Sequence, residues 1–189
     1  MYWSKRLFDL FLALTALLVL SLPFLIVALL VKLTSPGPVL YWSQRVGRHN
    51  ALFAMPKFRS MRTDTPVVAT HLLNDPDTYL TPVGSLLRRT SLDELPQLLS
   101  IIKGDMSFVG PRPALFNQTD LIDARTALGL ERLTPGLTGW AQVNGRDDLP
   151  IPQKVEFDRQ YRDRQSFWFD LKIIWLTFIG VVRSDGVAH

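Results

Sequence analysis

The 189-residue chain is 47% hydrophobic and carries a formal net charge of +4. That charge suits an anionic partner without choosing among nucleic acid, lipid headgroups and phosphorylated substrates. It has no cysteine, which excludes disulfides, thiolate metal sites and cysteine nucleophiles. The three histidines, His49, His71 and His189, have no neighbour at metal-binding spacing, so an enzyme of this composition would rest its chemistry on carboxylates and basic residues, with an oxygen-ligated metal left open.

The first element is an apolar run from Leu10 to Val31 without a charge, preceded by Lys5 and Arg6 and closed by Lys32. As a helix it spans about 33 Å, enough to cross a bilayer core. A secretory signal fits poorly, because the run is long and no small-residue cleavage site follows it. A single spanning helix is the simpler reading. Against it stands Pro23, with Ser21 two residues before it, which predicts a kink in mid-run. Basic residues also flank both ends (Lys5 and Arg6, then Lys32, Arg45 and Arg48), so the positive-inside rule gives no direction of crossing. A broken helix that enters and leaves by one face accounts for both features, each half reaching about 16 Å to the bilayer middle. The chain divides accordingly into a membrane anchor over 1–35 and a globular domain over 36–189.

After Pro36-Gly37-Pro38, the pattern predicts strands over Val39–Gln44 and Phe53–Met61, joined by a turn at Gly47–Asn50. Thr63–Tyr79 reads as a surface loop. Thr81-Pro82 resembles an N-cap and N1 proline for a short helix ending near Arg89. A second helix covers Ser91–Ile102 and stops at Gly104; a loop follows to Pro113, then a helix over Leu115–Leu128. A Gly-rich loop over Thr134–Arg146 precedes a charged helix, Ile151–Arg164. Phe167–Val182 is apolar on most faces and either lies along a membrane surface or packs in the core. Such faces also leave room for a homo-oligomer. The fold class is α+β, mainly helical, with one small β-hairpin.

The densest chemistry lies in Arg88-Arg89-Thr90-Ser91-Leu92-Asp93-Glu94. Ser91 and Glu94 have the spacing of a capping box, and acids at a helix start are favoured by the dipole. That reading explains Glu94 well and Asp93 in part. It leaves Arg88 and Arg89 unexplained, since cations disfavour a helix N-terminus unless a phosphate binds there. An aspartate is ionised at neutral pH and can attack phosphorus without a general base. A second cluster runs from Lys103 to Pro113, where prolines on both sides fix the backbone of Arg112; a rigid turn and an anion site are equally open. A third runs from Pro135 to Arg146, with glycines that permit close approach to a ligand. Lys57, Arg59 and Arg62 read by default as a solvated face.

In order, these stretches resemble the monotopic phosphoglycosyl transferases, the bacterial sugar transferase family, in its minimal catalytic-unit form. The likeness covers nearly the whole chain. It includes Lys5–Asp9, Lys32–Pro38, Arg45–Gly47, Lys57–Met61, Ser91–Gln97, Lys103–Pro113 and Pro135–Arg146. It implies a re-entrant anchor broken near Ser21 and Pro23, seated in the bacterial inner membrane with the catalytic domain on the cytoplasmic face. The implied reaction moves a sugar-1-phosphate from a UDP-sugar to a polyprenyl (undecaprenyl) phosphate. Asp93 would be the nucleophile, assisted by Glu94, with Mg²⁺ held by Asp93 and Glu94. Arg88 and Arg112 would hold phosphates, with Lys57, Arg59, Arg146 and Asp158 contributing. One departure concerns Leu22, which separates Ser21 from Pro23 where the family commonly has Ser next to Pro.

Two rivals stand beside this reading. A bitopic protein with a basic domain for nucleic acid or anionic lipid explains the charge and the apolar run but not the acids set among arginines. The chain also lacks the aromatic-plus-basic strand pattern of an RNA-binding sheet, so no nucleic-acid partner is expected. A phosphoaspartate hydrolase would share the nucleophile but pass the phosphosugar to water.

Overall fold

The apolar run forms two helices, α1 (Tyr2–Val19) and α2 (Ser21–Thr34), bent by 64° at Leu20. The structure is a computed structural model and describes residues 2–66, 75–145 and 149–183. Pro23 has no N–H for the Val19 carbonyl, and its ring crowds the preceding turn, so the helix breaks there. The Ser21 hydroxyl donates to the Leu18 carbonyl at 2.8 Å and satisfies one acceptor at the break. Leu22 between Ser21 and Pro23 does not prevent this bond. Among the described residues no single helix is long and apolar enough to cross a membrane, while the bent pair together has the length and composition.

Both arms pack back on the globular part. Ala13 on α1 is buried with Phe53, Met55, Leu98, Ile101 and Met106; Val27 and Val31 on α2 are buried with Phe58 and Leu87. The basic start of α1 is tied down by polar contacts. Lys5 Nζ meets Asp170 Oδ2 at 2.5 Å. Arg6 donates to the carbonyls of Ile101 and Ile102, and Asp9 accepts from the Phe108 amide at 3.2 Å. The opposite edge of the pair, with Leu7, Phe11, Leu14, Leu18, Leu22 and Leu25, is exposed.

Strands β1 (Leu40–Val46) and β2 (Leu52–Phe58) form the expected antiparallel hairpin, with Tyr41 opposite Lys57 and Trp42 opposite Pro56. Pro56 is tolerated because both strands of a two-stranded sheet are edges. The next helix, α3 (Gly84–Arg89), starts later than Thr81-Pro82 suggests; the Thr81 hydroxyl donates to Ser60 O and makes no cap.

The helix predicted over Ser91–Ile102 is two elements: a 3-10 turn, Leu92–Glu94, and α4 (Gln97–Lys103). Pro96 separates them, because in a continuous helix its ring would strike the Leu92 carbonyl. Ser91 takes a left-handed conformation (φ 54°) and makes no side-chain cap bond. The capping-box reading is therefore corrected: Glu94 is free to point elsewhere.

A second small sheet was not foreseen. Strands β3 (Ser107–Val109) and β4 (Gly136–Thr138) pair in parallel inside the two stretches read as loops. The glycines there admit a close crossing of backbone. A Cβ on Gly136 would lie 2.1 Å from Gly110 N, and one on Gly139 2.1 Å from Gly110 O. Helix α5 (Thr119–Ala127) is shorter than predicted, and α6 (Trp140–Val143) is a single turn. Helix α7 (Ile151–Arg164) matches its expectation, and α8 (Phe167–Arg183) packs one face in the core and leaves an aromatic face exposed. Ile173 is buried with Val109 and Tyr161, while Trp168, Trp175 and Phe178 face outward.

Candidate active site

Three segments distant in sequence place their polar ends together. Lys57 comes from the end of β2, Asp93 and Glu94 from the 3-10 turn, and Arg112 from the loop after β3. Lys57 Nζ lies 2.8 Å from Glu94 Oε1 and 3.9 Å from Asp93 Oδ2. Arg112 Nη2 reaches the same Glu94 oxygen at 3.3 Å. Lys57 is thus part of the cluster, contrary to its default reading as a solvated face. The Leu92–Glu94 turn sits against β2 because Leu92 and Leu95 pack on Phe58 and Leu87, which points Asp93 inward.

The two adjacent acids experience opposite fields. The Asp93 side chain is 9% exposed. Burial pushes its carboxyl up to about 6; Lys57 pulls the other way, Glu94 adds to the rise, and Arg88 and Arg112 pull down more weakly. Burial would also raise Glu94, but the Lys57 and Arg112 charges hold it well below the usual carboxylate range. Glu94 is therefore a fixed negative charge, while Asp93 is a basic, poorly solvated carboxylate. Paired titratable groups with separated pKa values are a mark of acid–base or nucleophilic sites.

Not every expected residue joins them. Arg59 is buried elsewhere, donating to Pro38 O at 2.7 Å and Ser35 O at 2.9 Å, where it fixes the exit from α2. In that place it is a joint between anchor and sheet. Asp158 is 1% exposed and pairs with Arg125, whose Nη1 donates to the Arg112 carbonyl at 2.9 Å. It supports the Arg112 loop from behind and does not face the cluster directly. Arg146 lies outside the described residues. Arg125 escaped the sequence reading, since no spacing or motif sets it apart from other surface-helix arginines.

Oxygen donors are all that Asp93 and Glu94 offer a metal, and among the described residues no group of three acidic or histidine side chains encloses one. Two neighbouring carboxylates are the hard oxygen donors that Mg²⁺ takes, and such an ion draws its other ligands from phosphate oxygens and water.

The profile of the bacterial sugar transferase family matches residues 1–184. The sugar transferase EpsL of Bacillus subtilis (strain 168) is 43% identical over 185 residues, covering 98% of this chain and 90% of that protein. The UDP-glucose:undecaprenyl-phosphate glucose-1-phosphate transferase of Escherichia coli (strain K12) is 42% identical over 95% of this chain and 40% of its own length. The undecaprenyl-phosphate galactose phosphotransferase of Salmonella typhimurium is 39% identical over 96% of this chain and 41% of its own.

Proposed function

Because the chain belongs to the bacterial sugar transferase family and is a transferase, we propose that it moves a sugar-1-phosphate from a UDP-sugar to undecaprenyl phosphate, by way of an aspartyl-phosphosugar. The observation that carries this reading is the Asp93 carboxylate, buried and only weakly compensated, beside a Glu94 locked between Lys57 and Arg112. The named activities of the Escherichia coli and Salmonella relatives supply the substrate classes. They act with different sugars, glucose and galactose, so the sugar is left to assay.

In the first half-reaction an Asp93 oxygen attacks the sugar-bearing phosphorus. The bond from that phosphorus to the bridging diphosphate oxygen breaks, and UMP leaves with the electron pair. Lys57, Arg88 and Arg112 supply the positive charge that the leaving phosphate needs. Asp93 is the better nucleophile for being raised, since basicity and nucleophilicity rise together. In the second half-reaction a phosphate oxygen of the lipid attacks the same phosphorus, the acyl-phosphate bond breaks, and the Asp93 carboxylate is restored. Asp93 and Glu94 would hold Mg²⁺, which when bound supplies charge neutralisation at the diphosphate. Glu94, paired on one side to Lys57 and Arg112, keeps these cations aimed at the phosphates.

The same reading places the anchor as a re-entrant helix on the cytoplasmic face. It is supported by the 64° bend and by the docking of Lys5, Arg6 and Asp9 on the body that carries Asp93. A start of α1 held to the catalytic body and an exit through Ser35 and Arg59 on that same body are what an anchor with both ends on one side requires. The outward aromatic face of α8 suits the headgroup layer.

The test is direct. Purified enzyme given a UDP-sugar and Mg²⁺ alone should release about one UMP per active site and gain the mass of a phosphosugar on the peptide bearing Asp93. Added undecaprenyl phosphate should discharge it to a lipid-linked sugar. Continuous UMP release with water as sole acceptor would make the protein a hydrolase, and a requirement for both substrates before any UMP appears would exclude the covalent route.

A further inference from the structure

The Pro111-Arg112-Pro113 loop is held at three successive carbonyls by three different elements. Pro111 O accepts from the Gly136 amide at 2.9 Å, Arg112 O from Arg125 Nη1 at 2.9 Å, and Pro113 O from Arg45 Nη1 at 3.1 Å. The two prolines have no N–H to anchor the loop, and Pro113 restricts Arg112 to extended conformations. The direction of the Arg112 side chain therefore follows from what grips its carbonyl.

That grip comes from a buried ion pair. Arg125 Nε and Nη2 meet Asp158 Oδ2 at 2.9 and 2.7 Å, and Asp158 is 1% exposed. Helices α5 and α7 already meet through the apolar cluster of Leu121, Leu130 and Val155, so their packing does not need a charge pair. A buried ion pair adds little net stability over apolar residues of the same size, but a planar guanidinium fixes direction. One edge binds the carboxylate while the remaining nitrogen is aimed at Arg112 O, an arrangement a lysine cannot reproduce.

We propose that Arg125 and Asp158 are a positioning pair for the transfer reaction, acting only through the main chain of Arg112 to set where its guanidinium meets Glu94 and the donor diphosphate. This rests on the reading of Arg112 as a phosphate contact. Neither member touches the reacting atoms. The pair governs the geometry of a group that does.

The experiment is a double-mutant cycle. Arg125→Lys, and the paired change Arg125→Gln with Asp158→Asn, are each made in the wild-type and in the Arg112→Ala background. The paired change removes both charges together and leaves no buried charge uncompensated. In the wild-type background both should lower kcat about 10- to 100-fold, with KM for the UDP-sugar little changed and the folded fraction intact, as a small misplacement of a catalytic group does. In the Arg112→Ala background they should cost nothing further, because their only route to the chemistry is gone. Equal losses in both backgrounds would overturn the proposal, as would a lowered Tm with unchanged kcat. A silent Arg112→Ala variant would instead remove the phosphate reading of Arg112 itself, and the positioning pair with it.

Discussion

Lys57 Nζ sits 2.8 Å from Glu94 Oε1 and 3.9 Å from Asp93 Oδ2, so one ammonium group serves both acids. Replacing Lys57 with Met keeps most of the stem and removes the charge. Two consequences are expected: Glu94 loses its nearest partner, and Asp93 loses the strongest influence lowering its pKa. The Lys57→Met variant should lose about 10²- to 10³-fold in kcat/KM. Steady-state UMP release measures this, and a loss under threefold would return Lys57 to the solvated surface.

Arg88 and Arg112 both act on Asp93 electrostatically, and Arg112 also bonds Glu94. Arg88→Ala and Arg112→Ala should each cost about 2–4 kcal/mol of transition-state stabilisation. Arg112→Ala should further disorder Glu94. Comparing kcat/KM with a bare UDP titration separates loss of phosphate contact from loss of chemistry, and near-normal values in both variants would refute the phosphate assignment.

The raised Asp93 pKa gives the activity an acid limb. At pH 7 a carboxyl with a pKa of about 6 is roughly nine-tenths ionised, and at pH 5 about one-tenth. First-half-reaction rates measured by UMP burst should fall about tenfold per pH unit below 6. A flat profile down to pH 4.5 would mean that Asp93 keeps an ordinary pKa or is not the nucleophile.

The same shift has a stability consequence of opposite sign. The folded-state pKa lies above the unfolded value near 3.9, so the fold favours the protonated form. Its contribution is fully present below about pH 4 and is lost as pH rises through 6. The Asp93→Asn variant, which cannot ionise, should therefore be inactive yet more stable than wild type at pH 8, by on the order of 1–3 kcal/mol. The gain should vanish at pH 4. Chemical denaturation at the two pH values decides the matter; an inactive variant that is also less stable at pH 8 would contradict the burial argument.

How much of this was legible beforehand depended on the range of the interaction. The anchor break, the hairpin and α7 follow from local rules, namely a mid-run proline, alternating strands around a turn and a charged 3.6-residue period. Arg88 and Arg89 stood out as charges that local structure did not explain and Asp93 as one it explained only in part, while Glu94 passed for a helix cap. What stayed hidden was non-local. Lys57 and Arg59 both read from the residues alone as solvated face, and only the fold separates them: Lys57 meets the Leu92–Glu94 turn, while Arg59 meets the Ser35 and Pro38 carbonyls. The β3–β4 pair joins segments almost thirty residues apart through glycines that sequence alone assigns equally well to loops. The capping box failed for a local reason that was legible: Pro96 forbids the helix that Ser91 would have capped.

The anchor offers the last prediction, because its two readings put residues on different sides of the membrane. A spanning helix separates Ser4 from the catalytic body, whereas the bent pair keeps them together. Lys5, Arg6 and Asp9 hold the start of α1 to Asp170, α4 and β3, and α2 returns through Val27 and Val31 to Phe58 and Leu87. Straightening the pair would strip one of these two sets of contacts. The absence of cysteine allows single cysteines at Ser4 and Asn117, both exposed. In intact spheroplasts neither should react with a membrane-impermeant thiol reagent, and both should react after lysis. Replacing Pro23 with Leu restores a donor for the Val19 carbonyl and removes the ring clash, and Ser21→Ala removes the hydroxyl bond to Leu18. The Pro23→Leu change should shift part of the population to a form with Ser4 labelled from outside and lower activity in proportion. Ser21→Ala alone should leave labelling unchanged, since the proline and not the serine forbids the straight helix. Labelling of Ser4 in the otherwise unaltered protein would establish a spanning anchor and end the re-entrant reading.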